Sequence, residues 1–243
     1  MPGSQLALLR SPMNWLWCQI EMLNVVLLGP PGAGKGTQAE MLAQAFRLAH
    51  VDTGQSLRDA AQTDTQVGRL ARSLLGRGML LPDDLVTQII EGKLRSLPPS
   101  QGFALDGFPR TLTQASLFEG VLGRLGRRLS AVIALILDDA TVLERLAGRR
   151  VCPKCGEVYH IKFRPPRRPG ICDICQTPLE IRPDDRPEAI RRRLCLYHRE
   201  TEPVLDFYRT RGLLLEVDAG RSPAEVFASI KASLSREGLI AAA

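Results

Sequence analysis

The chain has 243 residues, 44% hydrophobic and 24% charged, which suits one α/β domain with a small insertion and excludes a disordered, collagenous or coiled-coil protein. Its longest apolar runs reach about seven residues (Ala131–Leu137), far short of the roughly 20 that a membrane-spanning helix needs. The formal charge is +6, and only five of the 32 basic residues are lysines, so an anionic partner met by forked arginine contacts is expected.

Residues 1–21 hold both tryptophans and differ in pattern from the remainder of the chain. They are either a true extension or lie ahead of a start at Met22, and the second reading is preferred. Met22–Leu28 reads as a strand buried on both faces of a parallel sheet. Thr37–Leu48 sets Ala39, Leu42, Ala45 and Phe46 at helical spacing. Further strands are read at Phe103–Asp106, Val132–Asp138 and Leu213–Asp218, each an apolar run ending in an acid, with helical patterns between them. Alternation of this kind predicts βαβ units with right-handed crossovers and a ligand beyond the carboxyl ends of the strands. Residues 151–185 break the rhythm and read as a small inserted subdomain. A long helix with a kink at Pro203 is expected from Pro187 to Arg211.

The strongest motif is Gly29-Pro-Pro-Gly-Ala-Gly-Lys-Gly-Thr37, which follows a strand and opens a helix. Glycines let backbone N–H groups turn inward around a phosphate, the helix N-terminus adds partial positive charge, and Lys35 reaches the β- and γ-phosphates. The hydroxyl that usually follows the lysine is displaced by one position, to Thr37 behind Gly36. Four further stretches come in order: Asp52-Thr-Gly-Gln-Ser-Leu-Arg58; Leu105-Asp-Gly-Phe-Pro-Arg110 with Gln114; Gly148-Arg-Arg150 with Val158-Tyr-His160; and Asp184-Asp185. Together they resemble the adenylate kinase family of nucleoside monophosphate kinases.

That resemblance implies a P-loop α/β fold, a parallel five-stranded sheet with helices on both faces. It implies a core of residues 22–51, 82–147 and 186–243, a helical AMP-binding arm at 52–81 and a zinc-bearing lid at 148–185. The implied reaction is Mg·ATP + AMP ⇌ 2 ADP by direct in-line transfer, with lid closure excluding water. ATP would meet Gly32, Ala33, Gly34, Lys35, Gly36, Thr37, Arg145, Arg149, Val158, Tyr159 and Arg221. AMP would meet Thr53, Arg58, Met79, Leu80, Leu81, Gly107, Phe108, Pro109, Arg110, Gln114, Arg182 and Arg193. Charge stabilisation is implied for Lys35, Arg110, Arg149, Arg182 and Arg193. Asp106 resembles the acid that orders water on Mg²⁺, and Asp184 and Asp185 of the lid motif are implied as catalytic with it. A monomer is implied, with no nucleic-acid or membrane partner. On residue pattern alone, Arg193 shares a helix face with Ala189, Ile190 and Tyr197 and needs an anionic partner there, whereas Arg191, Arg192 and Arg199 form a solvated face.

Gln55 departs from the family pattern, which has aspartate at that position. Asp52, three positions back along a segment read as extended, is expected to face the other way, so altered Mg²⁺ ordering is predicted.

Cys152-x2-Cys155-x16-Cys172-x2-Cys175 has the knuckle spacing of a four-thiolate structural metal site, for zinc or for iron. His160 is read as packing or hydrogen-bonding in the lid, and Cys18 and Cys195 as free thiols. Such cysteine usage fits a reducing, cytoplasmic compartment. Alternatives are a UMP or CMP kinase, a basic zinc module binding nucleic acid, or a nucleotide-gated regulator. Residues 148–211 hold fifteen Lys and Arg against nine Asp and Glu, so the whole charge excess lies in the lid and the helix after it rather than spread for DNA or membrane.

Overall fold

The computed structural model describes residues 22–241 apart from Gly76, Gly78 and the side chain of Val67. The proposed start at Met22 and the thiol of Cys18 concern a segment that lies outside the described residues.

Five short segments form one parallel sheet: β1 (Asn24–Leu28), β2 (Ala49–Asp52), β3 (Phe103–Asp106), β4 (Ala131–Ile136) and β7 (Leu214–Asp218), in the order β2-β3-β1-β4-β7. Every residue of β1 is buried, as a central strand covered on both faces requires. Side chains alternate between two cores. Val25 and Leu27 pack with Ala39 and Leu42 of α1 (Lys35–Phe46) and Val226 and Ile230 of α9 (Pro223–Arg236). Val26 and Leu28 face the other core with Ile90 of α4 (Asp83–Arg95), Phe118 of α5 (Leu112–Arg124) and Val204 of α8 (Glu202–Arg209).

Of the expected strands, Val132–Asp138 ends early. Asp138 leaves the sheet to cap α6 (Asp139–Ala147), its carboxylate accepting from Thr141 N at 2.9 Å. Strand β2 is not among the segments that periodicity picks out; its four residues carry His50 at an exposed position.

Helices α2 (Thr53–Gln62) and α3 (Gln66–Leu75) form the arm, and they meet closely: a Cβ at Gly68 would lie 2.2 Å from Thr63 O. After α6 the chain makes a two-stranded antiparallel hairpin, β5 (Arg149–Val151) and β6 (Val158–His160), then the cysteine-bearing turns and a short 3-10 turn at Pro183–Asp185. The long helix expected from Pro187 to Arg211 is divided. It runs as α7 (Pro187–Leu196), a π-turn over Tyr197–Thr201, and α8. Pro203 has no N–H to continue the ladder and its ring crowds the preceding turn, so the α-helical pattern gives way to the π-turn in the residues before it.

Candidate active site

The phosphate loop begins where β1 ends. Gly29 takes φ +143°, and a Cβ there would sit 2.5 Å from Leu135 O, so only glycine fits between β1 and β4. Gly34, at φ +89°, turns the chain into α1. Among the described residues no side chain caps that helix and none in its first turn is acidic, so its leading N–H groups face the loop as a seat for an anion. Lys35 folds back over the loop, its Nζ donating to Gly29 O and Pro30 O at 2.9 Å each. Burial lowers its pKa to about 8; Asp106 opposes this, and Arg110, Arg193 and Arg149 add to it. A Cβ at Gly36 would lie 3.2 Å from Asp106 Oδ2, so a larger residue after the lysine would crowd that carboxylate.

Asp106 closes β3 and stands in register with Asp52 of β2. Burial pushes its carboxyl up, Lys35 pulls it down, and Asp52 pushes it up further. This corrects the expectation that Asp52 faces away. The chain is not extended beyond Asp52: helix α2 starts at Thr53, and Asp52 caps it by accepting from Gln55 N at 2.8 Å. Its carboxylate also lies 3.6 Å from the Arg58 guanidinium. Gln55 turns toward Arg58, its Oε1 accepting from Nε at 3.2 Å and Nη2 at 3.1 Å, while its Nε2 donates to Asp59.

Beyond Asp106 the chain runs Gly107 to Arg110 across the strand ends. Arg110 Nε donates to Gly107 O at 2.7 Å, and Thr201 Oγ1, from the π-turn, anchors the Arg110 carbonyl at 2.9 Å. At the base of the lid, Arg149 makes a two-pronged pair with the fully buried Asp185 carboxylate at 2.7 and 2.5 Å. Arg193 reaches the same carboxylate and that of Asp184 at 3.1 Å each, the anionic partner its helix face required. Burial lowers Arg182 to about 10, helped by Arg149 and Arg58. Burial pushes Asp184 up, but Arg193, Arg149, Arg182 and Arg58 outweigh it and hold the carboxyl below its usual range. Arm, strand ends and lid base therefore share one electrostatic site.

Two adjoining cavities open on this site. The larger is lined by Gly29, Lys35, Gly107, Arg110 and Arg193 among others. The smaller is walled by Leu57, Leu75, Val86 and the Met79–Leu81 segment, with Thr53, Arg110 and Gln114 as its polar groups. Thr53 Oγ1 is buried there with no hydrogen-bond partner among the described residues, a hydroxyl that a ligand could satisfy.

In the lid, the four sulfurs of Cys152, Cys155, Cys172 and Cys175 lie within 4.8 Å of one another. Sulfur separations of 3.3, 3.5 and 3.6 Å are too long for disulfides. They are close to the roughly 3.8 Å edge of a tetrahedron with zinc–sulfur bonds of about 2.3 Å. The cluster fits a four-thiolate metal. His160 is not part of it. Its Nδ1 accepts from the backbone of Lys162 and Phe163 at 3.0 and 3.1 Å, and its ring occupies the space a side chain at Gly148 would need.

Residues 27–213 match the sequence profile of the family described as adenylate kinase. The chain is 42% identical over 193 residues to an adenylate kinase of Caldicellulosiruptor bescii, covering 79% of this chain and 90% of that protein. It is 43% identical over 204 residues to one of Geotalea daltonii (84% and 95%) and 41% identical over 214 residues to one of Carboxydothermus hydrogenoformans (88% and 100%). The chain belongs to the adenylate kinase family. It is thus a nucleotide-binding phosphotransferase acting between ATP and AMP.

For an adenylate kinase, some expected nucleotide contacts stand away from the two cavities. Arg145 donates to Ala219 O at 2.8 Å and Arg221 lies 3.4 Å from Asp218, so both gather on the loop after β7. Val158 is exposed on the lid hairpin. The side chain of Tyr159 does not face the cleft. It is buried against Cys152 and Cys172, with its hydroxyl accepting from Asp173 N at 2.8 Å. Strand alternation puts neighbouring residues on opposite faces, and that signal separates Tyr159 from Val158. Asp83, Thr111 and Thr201 hold Gln114 and Arg110 in place; Thr111 lies inside the motif that runs from Leu105 to Gln114, whereas Asp83 and Thr201 lie in none of the motifs read from the sequence.

Proposed function

We propose that this cleft transfers the terminal phosphoryl group of Mg·ATP to AMP, and back, with Lys35, Arg110, Arg149, Arg182 and Arg193 distributing the charge. The observation that carries this assignment is the convergence of Lys35, Asp106, Arg110, Arg149 and Arg193 on an uncapped helix N-terminus. The triphosphate lies over residues 32–37, with Arg145, Val158 and Arg221 toward its base. AMP occupies the smaller cavity with its phosphate between Arg58 and Arg110. An AMP oxygen attacks the γ-phosphorus in line and the bond to the β-phosphate oxygen breaks. The attacking oxygen is already ionised, so no general base is needed. Magnesium brought in with ATP would screen the phosphates, and Asp106 would orient its water ligands.

Zinc in the lid is proposed as a structural ion. Four thiolates of one kind close the tetrahedron and leave no open position. The arm (52–81) and lid (148–185) are proposed to close over the core, which shuts out water that would hydrolyse ATP. A monomer in the reducing cytoplasm is proposed, the compartment being consistent with the free thiols among the described residues; no helix among those residues is long and apolar enough to cross a membrane. A coupled assay of ADP formation, run with ATP and each monophosphate in turn, tests the reading. AMP should be the preferred acceptor, and absence of AMP-dependent ADP formation at adequate Mg²⁺ would refute it.

A further inference from the structure

Gln114 is 2% exposed in the first turn of α5 and lines the smaller cavity. Its Oε1 accepts from the backbone N–H of Arg110 at 2.7 Å, and its Nε2 donates to Asp83 Oδ1 at 2.9 Å. Neither contact tolerates the reversed amide, because a backbone N–H only donates and an ionised carboxylate only accepts. The second Asp83 oxygen accepts from Thr111 Oγ1 at 3.1 Å, and Thr111 is itself held as the α5 cap by Gln114 N at 3.0 Å. The amide thus has one direction, oxygen toward Arg110 and nitrogen toward Asp83. One lone pair and one N–H remain uncommitted.

That direction carries chemical information. A 6-aminopurine offers an N–H donor at position 6 beside a bare N1 acceptor; a 6-oxopurine offers an acceptor at position 6 beside an N1–H donor. An amide free to turn over would match both. We propose that Asp83 is a specificity-determining positioning residue: together with the Arg110 N–H it holds the Gln114 amide in one direction, and so makes the monophosphate cavity favour a 6-aminopurine over the 6-oxo analogue. Asp83 does this without touching substrate. The inference rests on the proposed function, in which the smaller cavity holds the base of the monophosphate.

AMP and inosine monophosphate differ only at the 6-position and its coupled N1 proton, so the ratio of their kcat/KM values is the readout. In Asp83→Ala the ratio should fall about tenfold, the worth of one hydrogen bond to a charged group, with KM for ATP unchanged. Asp83→Leu fills similar space and should lose the same selectivity if the alanine variant folds poorly. Asp83→Asn, whose Oδ1 still accepts from Nε2, should stay near the parent ratio. Asp84→Ala removes an exposed acid from the same first turn of α4 and should leave the ratio alone. Gln114→Leu separates the role of the amide from the role of the acid behind it. If it lowers the ratio while both Asp83→Ala and Asp83→Leu keep it, the role given to Asp83 is wrong and that of Gln114 stands. If Gln114→Leu leaves both the AMP KM and the ratio unchanged, both are wrong. A fall in kcat for both substrates alike, at constant ratio, would make Asp83 merely structural and overturn the inference.

Discussion

Asp185→Asn tests whether the carboxylate at the lid base is a counter-charge for the arginines. The Asp185 side chain is wholly buried and takes three charged hydrogen bonds, two from Arg149 and one from Arg193. Asparagine has the same shape but presents an NH₂ where Arg149 also donates, so one prong becomes donor against donor. Removing one partner of a buried pair costs 3–5 kcal/mol; the two arginines keep 17% and 18% of their side-chain surface in water, which argues for about 3 kcal/mol. For a chain of this length that is a fall of about 6–12 °C in Tm. Thermal melts without nucleotide should show it. Adding ATP and AMP should narrow the gap, because phosphate oxygens then supply the missing negative charge. Asp184→Asn is the internal comparison: among the described residues that carboxylate makes one side-chain ion pair, to Arg193, and is 24% exposed, so its loss should cost less than that of Asp185. A Tm for Asp185→Asn within about 2 °C of the parent, with or without nucleotide, would refute the account.

Lys35 titrates near pH 8 in the free enzyme, whereas a bound triphosphate would restore its charge. ATP binding should therefore take up a proton above pH 8, and affinity should decline as pH rises through that value. Calorimetry at pH 8.5 in two buffers of different ionisation enthalpy measures the uptake; Lys35→Met should abolish it, along with roughly 10²–10³-fold of kcat. Elemental analysis should find one metal per chain, and its removal by a chelator should lower the melting temperature, with zinc restoring it. Unchanged melting after verified removal would discard a structural metal. Gln55→Asp should turn a neutral hold on Arg58 into an ion pair, raise KM for AMP several-fold and shift the Mg²⁺ dependence. An unaltered rate and Mg²⁺ profile would show that the amide is incidental.

The parts legible in sequence are those where one residue type is forced by local physics. Glycine at Gly29 and Gly34 answers to close backbone contact and positive φ. Four cysteines in two knuckles answer to a tetrahedral ion, and the unbroken apolar run of β1 to burial on both faces. Features made by distant partners escape. Strand β2 is four residues with one exposed histidine, too short and mixed for periodicity to mark. The orientation of Asp52 depends on where α2 begins, which its own capping decides. Tyr159 belongs to the cysteine core because of the face it takes in β6. Asp83 and Gln114 are 31 residues apart and meet only once α4 and α5 pack together.

The cations of the site are held in two different ways, and the difference bears on how it works. Lys35 and Arg110 rest on backbone carbonyls, those of Gly29, Pro30 and Gly107, and Arg58 rests mainly on the Gln55 amide. Arg149 and Arg193 rest on carboxylates. A neutral acceptor positions a cation without cancelling its charge, so an arriving phosphate displaces it at small cost and gains the full attraction. A carboxylate cancels the charge, and a phosphate must either compete with it or accept a shared cation. On the proposed function, Lys35, Arg110 and Arg58 should therefore be the first to grip incoming phosphates. Arg149 and Arg193 should engage on the proposed closure over a bound triphosphate, with Asp184 and Asp185 compensating their charge until then. Gln55 fits this division, because an aspartate at that position would move Arg58 into the group that must be won from a carboxylate.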